Sequence, residues 1–370
     1  MSQDDRTLGQ LLIIGFDGTE MNSRLSSLLT RVQPAGVILF ARNIQSAEQT
    51  WRLLRDCQKC VKRPLFTCVD LEGGTVDRFR SALAPAPSAA EVFATGNRKL
   101  FRRHGQIIGE NCRALGFNVD FAPVLDLAFP ASQKVMGSRT VSSSPKETII
   151  YTREFLAGLS AAKILGCGKH FPGLGEGNLD SHHELPVIDK SAKRLWSEDL
   201  VPYRTLRAKL PFVMVAHAAY PRVTTSNTPA TLSKVWITDI LRKRVGYRNL
   251  IVSDDLEMGG VLAAATAGDA AVQSIVAGSD LCLVCHREEY VIQAYDGLMQ
   301  CYARERAFAR RVADAAQRVL VLKKKWAKTL RRGKAPSAAT AEKLKRRLWE
   351  FGEQVRLEAL DRTENPRRKS

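Results

Sequence analysis

The segment Ile164-Leu165-Gly166-Cys167-Gly168-Lys169-His170 is a short apolar run that ends in two basic side chains. Short apolar runs of this length are typical of buried strands. Seven similar runs occur along the chain, and amphipathic stretches with helical periodicity, such as Ser191–Ala208, separate them. The eight predicted strands are Leu11–Phe16, Gly36–Phe40, Leu65–Val69, Val119–Leu127, Gly166–His170, Phe212–His217, Leu250–Ser253 and Leu281–Cys285. Eight strand–helix units within about 300 residues predict an α/β fold, a single (β/α)8 barrel of the TIM type.

Ionisable side chains follow five of the predicted strands. They are Asp70 and Glu72, Asp126, Lys169 and His170, His217, and Asp254 with Asp255. In a barrel the carboxyl ends of the strands form one face, and that face carries the active site. A doubly wound sheet is the competing fold, but no Gly-x-Gly-x-x-Gly motif follows the first predicted strand. The strand ends therefore favour the barrel and place a charged site on one rim.

The end of the chain differs from the rest in charge. Residues 301–370 contain 21 Lys and Arg against 8 Asp and Glu, a balance of +13 out of the net +18. We predict a barrel domain over residues 1–305 and a basic helical extension over 306–370, with helices at Phe308–Trp326 and Ala339–Leu360. Such a tail can attract nucleic acid or another acidic partner. The alternative is a solvated helical appendage with no partner.

The composition indicates which cellular compartment and which cofactors to expect. The first residues contain no basic and apolar signal-peptide pattern, and no apolar run is long enough to span a membrane, so we expect a cytoplasmic protein. The 8 cysteines are thinly spread, unlike those of a disulfide scaffold. Cys57-x-x-Cys60 and Cys282-x-x-Cys285 have the spacing of zinc ligands, but they lie in helix-like and strand-like segments. Buried thiols are the favoured interpretation, and no metal or organic cofactor is expected.

Two carboxylate-bearing motifs carry the candidate chemistry. Asp254 stands at the tip of an apolar strand, where it could act as a nucleophile or simply begin a helix as its N-cap. Asp180-Ser181-His182 places a carboxylate two residues from a histidine, which suits general acid–base catalysis by His182 with Asp180 orienting the ring. A chance pairing in a surface loop is the alternative. Gly173, Gly175 and Gly177 would let this loop change conformation.

Several motifs in the same order resemble those of family 3 glycoside hydrolases of the β-N-acetylglucosaminidase type. The resemblance runs from about Leu8 to Gln300. Its segments are Gly36–Asn43, Asp70–Arg78, Asn118–Asp126, Val135–Arg139, Lys169–Pro186, Pro229–Ser233 and Ser253–Met258. The Lys-His-Phe-Pro-Gly segment together with Asp-Ser-His is similar to the N-acetylglucosaminidase branch of that family. Three positions depart from the family pattern: Leu174, where a second loop histidine is usual; Thr75, where an arginine is usual; and Thr140–Ser142.

The resemblance implies a role for each candidate residue. Asp254 would be the nucleophile of a retaining mechanism, and His182, assisted by Asp180, the general acid/base. The sugar-binding residues would be Asp70, Arg78, Arg139, Lys169 and His170. For Arg139 a structural ion pair is an equal alternative, and His217 could be a core histidine beneath the rim. The expected activity is release of terminal β-linked N-acetylglucosamine from cell-wall muropeptide fragments or related glycosides.

Two alternatives remain open at the sequence level. The same site could transfer the sugar to phosphate as a β-N-acetylglucosaminide phosphorylase, or accept a broader range of β-glycosides. A second alternative is a non-catalytic protein that associates with sugar or nucleic acid through its basic tail.

Overall fold

A computed structural model describes residues 5–177, 185–263, 265–331 and 333–364 of the chain. Within these ranges the strands are β1 (Leu12–Ile14), β2 (Gly36–Ile38), β3 (Phe66–Val69), β4 (Leu71–Gly73), β5 (Val76–Asp77), β6 (Val119–Asp120), β7 (Leu165–Phe171), β8 (Phe212–Val215), β9 (Leu250–Asp255) and β10 (Leu281–Val284). Strands β1, β10, β9, β8, β7, β6, β3 and β2 pair in that order into a closed barrel, while β4 and β5 form a separate pair. The barrel pairings are parallel. The predicted (β/α)8 barrel is confirmed, and each predicted run supplies one of its strands.

The helices surround this barrel. They are α1 (Asp5–Leu8), α2 (Ser23–Val32), α3 (Ala47–Lys59), α4 (Ala89–Ala94), α5 (Arg98–Leu115), α6 (Pro145–Ala161), α7 (Ala192–Ser197), α8 (Leu200–Leu206), α9 (Pro221–Thr224), α10 (Gly259–Leu262), α11 (Ala267–Ala277), α12 (Glu288–Arg304), α13 (Arg306–Lys325), α14 (Ala327–Leu330) and α15 (Ala338–Glu364). A π-helix at Val235–Arg244 and short 3₁₀ turns complete the described elements. None of the described helices is long and apolar enough to cross a bilayer.

Two predicted elements are shorter than their sequence pattern. The run Val119–Leu127 forms regular strand only at β6, because Pro123 has no N–H to donate and Val124 makes only an isolated bridge to Lys169. The helical pattern over 191–208 is interrupted between α7 and α8, where Asp199 turns toward the side chain of Lys190. In the first place a missing backbone donor, and in the second a side-chain contact, shortens the element that the periodicity predicts.

The interior of the barrel is filled by side chains from the strands, including Phe66, Phe121 and Phe212. Val319 and Leu322 of α13 belong to the same buried cluster, and the rings of Trp326 and Phe212 lie 5.9 Å apart. Helix α13 therefore covers the amino-terminal mouth of the barrel. The carboxyl ends of the strands remain free to build a site on the opposite face.

Helix α15 lies along the outside of α4 and α5. Its buried face includes Phe351, whose ring stacks on His104 at 5.8 Å, and Arg347 pairs with Glu110 at 2.6 Å. The described tail thus shares apolar packing with the barrel. The division into a domain that ends at residue 305 and an extension from 306 remains a prediction.

Candidate active site

The carboxyl ends of the barrel strands surround a pocket with about 790 Å³ of atom-free space, part of it open to solvent. Six of the predicted site residues line this pocket: Asp70, Arg78, Arg139, Lys169, His170 and Asp254. They come from β7, β9 and the segments that follow strands, so the barrel brings together side chains up to 184 positions apart in the chain. The pocket combines cations, carboxylates and apolar walls.

Lys169 is a buried cation held between two carboxylates. Its Nζ lies 2.7 Å from Asp70 and 2.6 Å from Glu72. Burial opposes the charge on the ammonium, but the fields of Asp70 and Glu72 outweigh burial and raise the pKa of Lys169 above its ordinary value. The lysine is therefore charged at every physiological pH. Within the described part of the chain Asp70 uses one oxygen, for Lys169, and its other oxygen is available to the pocket.

Arg139 forms a two-point ion pair with the same Glu72. Its Nε and Nη2 donate to the two Glu72 oxygens at 2.7 and 2.9 Å, and Nη2 also lies 3.5 Å from Nε2 of His170. Burial disfavours ionisation of Glu72, yet Arg139 and Lys169 hold its pKa well below the usual glutamate range. Arg139 therefore lines the pocket and also belongs to a structural ion pair. Glu72 holds two cations in place, Arg139 and Lys169.

His170 is oriented by a buried carboxylate. Its Nδ1–H donates to Asp126 at 2.7 Å, and its backbone N–H donates to the same Asp126 oxygen at 3.2 Å. The other Asp126 oxygen accepts the backbone N–H of Leu174 at 2.7 Å. Because Nδ1 is occupied, Nε2 of His170 faces the pocket and Arg139. Asp126 therefore ties the strand-end histidine to the loop that follows it.

Asp254 stands at the end of β9 with its side chain partly exposed in the pocket. One of its oxygens accepts the N–H of Asp255 at 2.8 Å. Burial raises the cost of its charge, but His217, His170, the Asp255 N–H and Lys169 together hold the pKa of Asp254 below the usual aspartate value. The carboxylate is ionised at neutral pH and faces the cationic side of the pocket. This is the state that a carboxylate nucleophile requires.

Arg78 differs from the other cations of the site. Among the described residues no carboxylate lies within ion-pair distance of its guanidinium, whose carbon sits 5.4 Å from the centre of the Phe40 ring. Its Nε is buried without a hydrogen-bond partner. Arg78 therefore retains donors that a polar ligand in the pocket could use.

His217 is a core histidine beneath the rim. It is fully buried, its Nε2–H donates to the Asp255 carbonyl at 2.8 Å, and its Nδ1 lies 2.7 Å from the Thr231 hydroxyl. Burial lowers its pKa. Both ring nitrogens have partners within the protein, so His217 supports the strand that carries Asp254.

Asp180 and His182, the predicted acid/base pair, lie outside the described residues. The described chain just before residue 178 is close to the pocket, since Leu174 lines it. The apolar Leu174 side chain is buried against a cluster that includes Phe171 and Ile188. It gives this part of the loop an apolar anchor.

Glu72 and Asp126 are charged residues at the ends of predicted strands, but the sequence predicted no catalytic or binding role for them. Their partners lie 67 and 44 positions away, so no local pattern shows the pairing. Asp255 was also unassigned; its Oδ1 accepts the N–H groups of Glu257 and Cys285, each at 3.1 Å. The available signal was repetition, because each of these carboxylates follows a barrel strand. Among the described residues no cluster of His, Cys, Asp and Glu is arranged to hold a metal ion.

A comparison with protein families agrees with this architecture. Residues 4–322 match the model of the glycosyl hydrolase family 3 N-terminal domain. The chain belongs to glycosyl hydrolase family 3. The match spans the whole barrel together with most of helix α13. The predicted family and its hydrolytic class are thereby confirmed, and this family 3 chain is a glycoside hydrolase.

Curated relatives in family 3 include two β-hexosaminidases. The protein of Haemophilus influenzae (strain Rd) is 36% identical over 293 residues, which are 78% of this chain and 82% of that protein. The protein of Idiomarina loihiensis is 34% identical over 289 residues, or 77% of this chain and 86% of that one. A solved family 3 β-N-acetylglucosaminidase from Paenibacillus sp. covers 95% of this chain and 69% of its own, with 31% identity and a TM-score of 0.87. These similarities support a β-hexosaminidase activity.

Proposed function

We propose that the protein is a retaining exo-β-N-acetylglucosaminidase that releases terminal N-acetylglucosamine from cell-wall muropeptide fragments or related glycosides. The observation that carries the proposal is the pocket itself. An ionised carboxylate at Asp254 shares the pocket with the cluster of Asp70, Lys169 and His170. Arg78 also lines the pocket, and its guanidinium has no carboxylate partner among the described residues. A negative nucleophile opposite hydroxyl-binding groups suits attack on the anomeric carbon of a bound sugar.

The proposed reaction has two steps. Asp254 attacks the anomeric carbon, the glycosidic C–O bond breaks, and His182 gives its proton to the departing oxygen. Water then attacks the glycosyl–Asp254 ester, His182 takes the proton of that water, and the carboxylate is regenerated with net retention at the anomeric centre. Asp180, two residues from His182, would orient the imidazole and stabilise its charged form.

The other pocket residues would bind the sugar. The free oxygen of Asp70 can accept a hydroxyl hydrogen, and Arg78 can donate to one. Arg139 and His170 are held by Glu72 and Asp126, so they present polar groups in fixed positions at little entropic cost on binding. The pre-organised charge of Arg139 would stabilise charge that develops during glycosyl transfer.

We further propose that the enzyme acts in the cytoplasm. The 8 cysteines are spread thinly along the chain, unlike those of a disulfide scaffold, and six of them are buried. This use of cysteine is typical of a reducing compartment.

An aryl β-N-acetylglucosaminide tests the proposed activity. The wild-type enzyme should hydrolyse it, with the β-anomer of the free sugar as the first product seen by proton NMR, and should prefer it to the matched glucoside and xyloside. Asp254→Asn should lower kcat on the order of 10⁴-fold or more while the circular dichroism spectrum is unchanged. Asp189→Asn, at an exposed aspartate outside the pocket, is the control variant. Normal turnover by Asp254→Asn, or an α-anomer as first product, would overturn the proposal.

A further inference from the structure

A second charged cluster lies beside the pocket, outside the sugar-binding residues. Lys190 is only 1% exposed and has three carboxylates around its Nζ: Asp199 at 2.6 Å, Glu198 at 2.7 Å and Glu176 at 3.4 Å. The same Nζ lies 4.4 Å from the centre of the Phe129 ring. We call these four ionic residues, with Arg194, the Lys190 clasp. None of its members lines the pocket.

The clasp joins the two ends of the segment that carries the predicted acid/base pair. Glu176 stands two residues before position 178, and Lys190 six residues after position 184. Arg194 adds a second contact to Glu176 at 2.9 Å. The two stems, which a stretch of seven residues separates in the chain, are therefore connected by ion pairs at its base.

Further contacts hold each stem to the barrel. On the first stem, the Tyr220 hydroxyl donates to the Gly173 carbonyl at 2.8 Å. Gly173 has a φ of 137°, and a Cβ at this position would lie 2.8 Å from Asp199, so glycine lets the clasp approach the backbone. On the second stem, Ile188 and Ala219 form a backbone hydrogen bond at 2.8 Å. The clasp is thus the ionic link within a larger anchorage.

Stability alone is a poor explanation for such a cluster. The free energy needed to desolvate a lysine and its carboxylates cancels much of the free energy gained from their attraction. Proteins in which a buried ion pair is replaced by apolar residues are often equally stable. Burial raises the pKa of Asp199 to about 6, although the charge of Lys190 acts to lower it. The desolvation of this carboxylate is therefore not fully offset by its ion pair. Directional charge pairs do, however, specify one arrangement of the chain more strictly than apolar contacts do.

We infer that the Lys190 clasp is a positioning device for proton transfer: it fixes the two described stems that flank residues 178–184, the part of the sequence that contains Asp180 and His182. The inference rests on the proposed function, in which His182 protonates the leaving group. Lys190 touches no substrate and acts through the stems. Its loss should impair proton transfer selectively, because a displacement of about 1 Å can cost roughly 10²-fold in rate.

Two substrates separate proton transfer from every other step. N,N′-diacetylchitobiose has a poor leaving group and needs the general acid, whereas 2,4-dinitrophenyl β-N-acetylglucosaminide has a leaving group that departs without a proton. For Lys190→Met we expect kcat/KM to fall about 10²-fold on the disaccharide and less than about threefold on the dinitrophenyl glycoside. Lys190→Arg, which keeps the charge, should restore most of the disaccharide rate.

Lys323→Met is the matched control, because Lys323 is equally buried but lies at the other end of the barrel. It should change neither kcat/KM. Where Lys190→Met does not fold, as judged by circular dichroism, Glu176→Gln replaces it: Glu176 is one-quarter exposed and its loss frees only the first stem. A selective loss on the disaccharide is expected from that variant as well.

The reference variant His182→Ala keeps the two hypotheses apart. If His182→Ala shows no dependence on the leaving group, the proposed acid/base assignment fails, whatever Lys190 does. If His182→Ala loses activity on the disaccharide selectively but a folded Lys190→Met or Glu176→Gln loses activity equally on both substrates, or on neither, the clasp does not position the pair and the inference is overturned.

Discussion

Two buried lysines at opposite ends of the same barrel have opposite electrostatic surroundings. Lys169, at the carboxyl end, is 2% exposed and contacts the carboxylates of Asp70 and Glu72. Lys323, at the amino end, is 4% exposed and donates to the neutral oxygens of Gln10 and Ala35, at 3.0 and 2.7 Å. Its Nζ also lies 4.9 Å from the centre of the Phe66 ring.

The difference separates a functional charge from a structural one. Burial opposes charge on both side chains, but two carboxylates raise the pKa of Lys169, whereas burial lowers the pKa of Lys323 to about 7. At the carboxyl end the protein keeps a permanent cation beside Asp254. At the amino end it uses a long side chain to fill space under α13 and tolerates partial loss of the charge.

Replacement of the two lysines should give the largest contrast. Lys169→Met leaves Asp70 without its counter-charge and Glu72 with Arg139 alone, so we expect kcat/KM to fall roughly 10²- to 10³-fold. The same change should cost about 3–5 kcal/mol of unfolding free energy, since one partner of a buried pair is removed. Lys323→Met should leave kcat/KM unchanged and alter the unfolding free energy by about 1 kcal/mol or less. Steady-state kinetics and urea unfolding measure both quantities, and equal kinetic losses would remove the distinction between the two ends.

Two buried carboxylates extend the contrast with a smaller effect. Glu72 binds Arg139 and Lys169 at the carboxyl end, and Asp280 binds Arg242 and Arg318 near the amino end. Glu72→Gln should lower kcat/KM by roughly 10- to 100-fold, because two pocket cations lose the group that positions them. Asp280→Asn should destabilise the fold but leave kcat/KM per folded molecule unchanged. Loss of activity in folded Asp280→Asn would contradict this division of roles.

The pH dependence of stability should show the smallest effect. An unfolded lysine has a pKa near 10.5, and Lys323 in the folded protein has a pKa of about 7. Between these values the unfolded chain binds more protons, so stability should be greatest above pH 10.5 and be lost as the pH falls toward 7. We expect this site to contribute roughly 1–3 kcal/mol between pH 10 and pH 7.

Urea unfolding at several pH values measures that slope. Lys323→Met should flatten that slope. Lys169→Met should leave the slope unchanged, because Lys169 is charged in the folded protein over the same pH range. A wild-type slope that persists in Lys323→Met would show that another group produces it.

The sequence predicted the barrel well because each strand is a short apolar run with its own boundaries. Even so, the strand predicted from periodicity was longer than β6, because Pro123 ends the regular backbone hydrogen bonding. Periodicity also predicted one helix where the structure has α7 and α8, which are separated where Asp199 contacts Lys190. An amphipathic pattern also predicted α13, but such a pattern shows that one face is buried, not that it covers the mouth of the barrel.

The candidate site was predicted in part. Charged strand ends pointed to Asp70, Lys169, His170 and Asp254, all of which line the pocket. What local sequence could not show was pairing across distance: Glu72 with Arg139, Asp126 with His170 and Lys190 with Glu176 depend on the fold that brings them together. Side chains that hold other side chains in place therefore appear only in the structure.

In the proposed mechanism Asp254 forms the covalent intermediate at the carboxyl end of the barrel. The most direct measurement is mass spectrometry of peptides from enzyme inactivated with 5-fluoro-N-acetylglucosaminyl fluoride, a substrate analogue whose glycosyl–enzyme ester hydrolyses slowly. We expect one added sugar, on the peptide that contains Asp254, and none in Asp254→Asn. A sugar attached to another residue, or turnover of ordinary substrate by Asp254→Asn, would contradict the proposed mechanism.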